Sequence, residues 1–192
     1  MGIAVDEGYV HSVNDPISKY IPEFSGTGIA DVPINACLQM ASGLDFDEES
    51  DLSKFSMKTL LGVPEVKILC KLSLKEAPFT SRQYLSINTE ILGEIISNAA
   101  GMGLADYIRQ KLWSKSGPEQ DAYWTLSNGK ELAMGGLSIS LRDFARFGRL
   151  YLKGEDWNAI DGGFPMVLKE NSGQSRTTTL SKIEHRPAFP ST

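Results

Sequence analysis

Two cysteines and two histidines in 192 residues leave little room for several kinds of chemistry. Cys37 and Cys70 have no metal-ligand partners at useful spacing, and His11 and His185 are isolated, so a zinc site or a Ser-His-Asp triad would rest on one lone residue. The cysteines read as small buried hydrophobes and not as a disulfide. No apolar run approaches the ~20 residues that span a bilayer, and the first residues lack the basic start and apolar centre of a secretion signal. The sequence as given is therefore expected to be cytoplasmic, with no membrane partner. Basic blocks are absent too. A net charge of -5 without clustered Lys and Arg excludes the electrostatic footprint of a nucleic-acid binder. No metal or organic cofactor is expected, and there are no repeats.

What is present is a soluble globular composition, 41% hydrophobic and 22% charged, in a chain long enough to bury roughly 70% of its unfolded surface as one domain. The organising stretch is Thr80 to Gly101, TSRQYLSINTEILGEIISNAAG. Ile87, Ile91 and Ile95 recur every four residues, with Leu92, Ile96 and Ala99 widening the stripe, so the spacing predicts a helix with one buried face. Glu90, Glu94 and Asn98 are expected on its other faces. Ser86 or Asn88 is expected to cap its first turn, and Gly101 to close it in a left-handed conformation. Tyr84 then stands on a short turn just ahead of a rigid helix start. As a residue type it suits two roles, a packing aromatic or a positioned phenol.

Elsewhere, Met1 to Glu7 reads as the end of a helix stopped at Gly8, and Asn14-Asp15-Pro16 as the start of a short helix ending before Pro22. Pro33 to Met40 predicts another, stopped at Ser42-Gly43. The acidic run Asp45, Asp47, Glu48, Glu49 is expected to be a solvated loop. Residues 51–62 and 65–75 read as helices broken at Gly62-Val63-Pro64, with Leu60, Leu61, Val66, Leu69 and Leu72 packing beneath the Tyr84 turn. Leu104, Ile108 and Leu112 predict a second amphipathic helix, and Asn128-Gly129 a hairpin within 121–134. Ser140 to Asp143 resembles a capping box for a helix through Leu152, with Phe144, Phe147 and Tyr151 facing the core and Arg142 and Asp143 in structural roles. Residues 158–192 show no sustained period and read as an irregular tail.

Tyr84-Leu85-Ser86 within YLSINTEILG, followed by Ala-Ala-Gly, resembles the second active-site box of the beta-lactamase-related serine hydrolases, in which Tyr-x-Asn or Tyr-x-Ser helps move the proton of a catalytic serine. That family includes class C beta-lactamases, penicillin-binding proteins, esterases and 6-aminohexanoate-dimer hydrolases. The stretches GIAVDEGYVHSVNDPISKYIPEF, LQMASGLDFDEE and GGLSISLRDFARFGRLYLKG stand around the box in the family's order, so that the resemblance covers roughly residues 2–157. It implies an α/β beta-lactamase/transpeptidase-like fold, represented here by its helical region, a partial domain over 1–157, plus a small β-hairpin. It also implies acyl-enzyme chemistry on a small-molecule amide or ester, with Tyr84 catalytic and Ser86 binding substrate. In the 6-aminohexanoate-dimer hydrolase branch a loop like the acidic one borders the cleft and carries a tyrosine shortly afterwards; here Ser50 follows the run.

The family's nucleophile sits in a helical Ser-x-x-Lys, and the resemblance places that motif just ahead of Met1. Within the chain the spacing occurs once, as Ser127-Asn128-Gly129-Lys130, where a turn rather than a helix is expected. Lys115-Ser116-Gly117 imitates the third box, Lys-Thr/Ser-Gly, but follows a helix where a strand is required. A free tyrosine titrates near pH ~10, so a phenol acting as a base at neutral pH relies on a neighbouring cation that favours phenolate. The expectation is a hydrolase segment that is inactive by itself, or a non-catalytic domain of the same fold.

Overall fold

Isoleucine spacing builds the centre of the molecule. The computed structural model describes residues 1–152, with side chains through Arg149. The chain opens with α1 (Gly2–Asp6), two 3-10 turns (Ile17–Lys19, Pro22–Phe24), α2 (Ile34–Leu38), α3 (Ser50–Leu60) and α4 (Glu65–Leu69). The long α5 (Ser86–Ala100) follows. Then come α6 (Leu104–Ile108), a π-turn (Arg109–Trp113) and α7 (Ser114–Ser116), which run on from one another, four two-residue strands β1–β4 between Tyr123 and Ser138, and α8 (Leu141–Leu152). Ile87, Ile91 and Ile95 are fully buried and pack in one core with Ile17, Ile21, Phe24, Ile34 and Leu69. That core seats α5 against α2 and α6. Gly101 ends α5 at φ 65°, a left-handed position that costs glycine nothing.

The polar faces of α5 differ from expectation. Glu90 and Glu94 are 1% and 6% exposed and Asn88 is fully buried, whereas Asn98 is exposed and donates to the Tyr20 carbonyl. The reason is the hairpin. β2 (Leu126–Ser127) pairs antiparallel with β3 (Lys130–Glu131) across Asn128-Gly129, flanked by β1 (Tyr123–Trp124) paired with β4 (Leu137–Ser138). This unit lies over α5, so that Lys130 Nζ reaches Glu94 at 2.9 Å and the Met134 N–H donates to Glu90 at 3.0 Å. Such partners offset the cost of burying a carboxylate.

Glu65 is less well provided: it is 4% exposed and neither oxygen has a partner in good hydrogen-bond geometry. Burial drives its carboxyl upward and the Glu94 charge adds to this, against the Ser127 hydroxyl, the Glu90 carboxyl and Lys130. A raised folded value means that the native state holds the proton more tightly than the unfolded chain, so stability falls as pH rises above the unfolded glutamate range of about 4.3. Glu65→Gln should remove that dependence and raise stability near neutral pH, on the order of 1 kcal/mol. Urea midpoints at pH 4 and pH 7 check it: the gap between them should narrow in the variant.

Two packing expectations fail at α3 and α8. Leu60 and Leu61 are 81% and 75% exposed at the end of α3, while Leu69 is fully buried. The chain turns away directly after them at Gly62, φ 83°, and they do not pack beneath the Tyr84 turn. On α8, Phe147 is 6% exposed and in the core, but Phe144 is 55% exposed. Asp143, four residues before Phe147 and 1% exposed, takes the inward place in the first turn of α8, and Phe144 beside it is left to solvent. Tyr151 and residues 153–192 lie outside the described side chains. Cys37 is buried, its thiol pushed up to about 12 by desolvation, and Cys70 Sγ meets the Glu23 carbonyl at 3.3 Å.

Candidate active site

The Tyr84 turn is built by two segments that zip together. The Gln83 N–H donates to the Met40 carbonyl at 2.9 Å, the Phe79 N–H to Ala41 at 2.8 Å, the Arg82 Nε to Gln39 at 3.2 Å and the Lys75 N–H to Gly43 at 2.8 Å. Gly43 is required here, since a Cβ would lie 2.3 Å from the Glu76 carbonyl oxygen at a φ of 73°. Met40 and Phe79 also adopt positive φ, 54° and 69°. Non-glycine residues pay about 1 kcal/mol or more for such conformations, which persist where the surroundings over-determine them.

On this scaffold Tyr84 is 62% exposed, immediately before α5, and is not one of the core aromatics. Ser86, 8% exposed, is the first residue of α5, with its Oγ 3.5 Å from the Tyr84 hydroxyl. The two expected site residues are therefore brought together. The expected cap is different: neither Ser86 nor Asn88 caps α5, and Leu85 in the capping position has no side-chain bond to offer. The acceptor comes from 38 residues upstream, where Glu48 Oε2 takes the Ser86 N–H at 2.8 Å and Oε1 takes the Ser86 hydroxyl. A carboxylate at a helix start satisfies an orphan N–H and meets the positive end of the helix dipole. Asp45, Asp47 and Glu49 stay exposed as expected, whereas Glu48 is half-buried.

Beneath the turn two polar atoms are buried without partners, Ser42 Oγ and Asn88 Oδ1, while Asn88 Nδ2 lies 3.5 Å from Met40 Sδ. Sequence reasoning missed Glu48, Ser42 and Asn88 as neighbours of the site. Asn88, four residues after Tyr84 and between Ile87 and Ile91, was the one visible hint. A separate cleft of about 720 Å³ runs along the C-terminal half of α5, between Tyr20, Glu94, Lys130 and Glu131. Tyr84 and Ser86 do not line it.

The look-alike motifs resolve as expected. Ser127 and Lys130 face each other across the β2–β3 turn, and Lys115-Ser116-Gly117 closes a helical turn with Gly117 at φ 67°. Among the described residues there is no group of three metal-ligating side chains, and no helix is long and apolar enough to cross a membrane.

The chain and its fold have relatives. The chain is 28% identical over 166 residues to the 6-aminohexanoate-dimer hydrolase of Paenarthrobacter ureafaciens, covering 80% of this chain and 42% of that one. Its fold superposes on a Bacillus anthracis protein described as a 6-aminohexanoate-dimer hydrolase with a TM-score of 0.76 at 21% identity, over 91% of this chain and 49% of the other. It also superposes on a class C beta-lactamase mutant with a TM-score of 0.60 at 19% identity, over 83% and 48%. A penicillin-binding protein homologue from Pyrococcus abyssi gives a TM-score of 0.60 at 20% identity, over 81% and 42%. The chain thus spans about half the length of these relatives. The Beta-lactamase family model matches residues 2–180, and the chain belongs to the beta-lactamase family.

Proposed function

We propose that this chain forms one wall of the active site of a serine hydrolase that cleaves small amides or esters through an acyl-enzyme. Tyr84 is the phenol that moves the nucleophile's proton, Ser86 holds substrate beside it, and the nucleophile comes from residues outside the chain. The observation that carries this is the exposure of Tyr84 on a constrained turn, its hydroxyl next to Ser86, at the start of a buried helix. A residue serving only to pack would not be left 62% in solvent. The second reading, a non-catalytic domain of the same fold, is favoured by one fact: the single Ser-x-x-Lys of the chain lies across a hairpin, where no helical face aligns serine with lysine.

Two assays decide. The purified chain should show no burst with p-nitrophenyl esters or nitrocefin, with turnover lower on the order of a million-fold than that of a complete enzyme, as for loss of a serine nucleophile. A protein in which a Ser-x-x-Lys helix precedes Met1 should turn over these substrates, and Tyr84→Phe in it should cost about 10²–10⁴ in kcat, the worth of a positioned proton-transfer group. Turnover indifferent to Tyr84→Phe removes Tyr84 from the mechanism. Absence of turnover favours the non-catalytic reading.

A further inference from the structure

Glu48 does more than finish a helix. Its two oxygens are both committed to Ser86, Oε2 to the N–H and Oε1 to the hydroxyl. An ionised carboxylate only accepts, and a serine hydroxyl has a single proton. With that proton held by Glu48, Ser86 Oγ presents lone pairs alone toward Tyr84, 3.5 Å away. The one polarity left for this contact is Tyr84 O–H donating to Ser86 Oγ. At 3.5 Å the bond is long, as polar contacts in empty active sites often are before substrate tightens them. Donation in that sense turns the free lone pair of the phenol away from Ser86 and into solvent.

We propose that Glu48 is a positioning residue of this site: by taking the Ser86 proton it directs the Tyr84 O–H bond toward Ser86, so that the phenol presents its free lone pair to solvent as a proton acceptor. The catalytic meaning of that orientation rests on the hydrolase reading above; the orientation itself does not. A nucleophile giving up its proton requires an acceptor facing it, whereas a Tyr84 O–H bond turned away from Ser86 would meet it as a donor.

Glu48→Gln separates orientation from capping. The Ser86 N–H is fixed and can only donate, so it claims the amide oxygen, and the helix keeps its cap. The amide NH₂ then faces Ser86 Oγ as a donor. The Ser86 hydroxyl must rotate, and its proton swings toward the Tyr84 oxygen, reversing the bond. The difference Raman spectrum between the parent chain and Tyr84→Phe isolates the Fermi doublet of this one tyrosine, whose two lines trade intensity as the hydroxyl passes from donor to acceptor.

The expected result is a donor pattern in the parent chain and an inverted intensity ratio in Glu48→Gln, with the thermal midpoint little changed. Ser86→Ala retains the backbone bond to Glu48, so it tests the same point even if Glu48→Gln folds poorly. It should bring the doublet to the ratio of a water-bonded phenol and make Glu48→Gln silent when the two are combined. A doublet unmoved by Glu48→Gln, one unmoved by Ser86→Ala, or an equal response with Ser86 removed overturns the proposal. Because nothing here measures turnover, failure of the hydrolase assays would leave this result standing, and the reverse also holds.

Discussion

Gly93→Val should destabilise the chain by about 3 kcal/mol, at the top of the usual range for over-packing, against a folding margin of ~5 to 15 kcal/mol. Gly93 lies in the middle of α5, where glycine is about 1 kcal/mol worse than alanine on propensity alone. Its presence there is explained by the hairpin: a Cβ at position 93 would stand 2.3 Å from Ala133 Cβ and 3.2 Å from Leu104 Cδ2. Leu104 can swing aside, but Ala133 Cβ is fixed to backbone that is tied down by the Leu132 N–H bond to Thr125 and the Met134 N–H bond to Glu90. The added side chain therefore has to push the whole hairpin off α5, stretching the Lys130–Glu94 ion pair and the Glu90 contact. Denaturant midpoints measure the loss. Ala133→Gly should recover part of the cost of Gly93→Ala, because the clash is between those two Cβ atoms, and a double-mutant cycle should show a coupling of about 1 kcal/mol or more. Additive effects would mean that the hairpin is not seated where the contact places it.

Gly93 also shows where the sequence stops being informative. The isoleucine period of α5, its glycine stop at 101, the Asn-Gly hairpin and the buried Phe147 are all local patterns, and local patterns are what a sequence displays. Tyr84 and Ser86 stand out as candidates for a different reason: three residues at a fixed spacing ahead of a helix, with similar flanks in order. Their partner was not legible. Glu48 sits among carboxylates that are otherwise solvated, and nothing local distinguishes it from Asp47 or Glu49; its role arises from a contact made across 38 residues. The same holds for Glu90 and Glu94, polar by type and buried in fact, because a hairpin some forty residues later brings a lysine and a backbone N–H to them. Conversely, Leu60 and Leu61 are apolar by type and exposed in fact. Burial of a residue depends on what covers it, and the cover is set by tertiary contacts.

Asp143→Ala is expected to be the other severe change. Asp143 is 1% exposed and accepts four hydrogen bonds: from the Glu119 N–H at 2.9 Å, the Gln120 N–H at 3.2 Å, the Ser140 hydroxyl at 2.8 Å and Arg146 Nη1 at 2.8 Å. Ser140 answers by accepting the Asp143 N–H, so the start of α8 is capped reciprocally, as the Ser-Leu-Arg-Asp spacing predicts. The reach back to Glu119 and Gln120 was not visible in that spacing; it ties the segment after α7 to the start of α8. Removing the carboxylate strands two backbone donors and the Arg146 guanidinium, which places the loss at about 3–5 kcal/mol, the range for breaking a buried charged pair. Arg146 retains Glu119, which limits the damage at that end. Desolvation by itself would raise the Asp143 carboxyl, yet the Glu119 N–H, the Ser140 hydroxyl, Arg146 and the Gln120 N–H outweigh it and bring the group to about 2 from an ordinary 3.8. The sign follows: with the folded value depressed, the stabilisation is fully present above pH ~4 and is lost as pH falls toward ~2, where the folded carboxylate takes up its proton. Asp143→Asn, which keeps the shape but has one acceptor oxygen, should destabilise at pH 7 and lose most of this acid dependence. Unfolding free energies of the parent chain and the two variants at pH 7, 4 and 2.5 test both statements. Curves that stay parallel down to pH 2.5 would show that another carboxylate governs acid unfolding, and a cost near zero for Asp143→Ala would mean that the segment after α7 holds its place without this anchor.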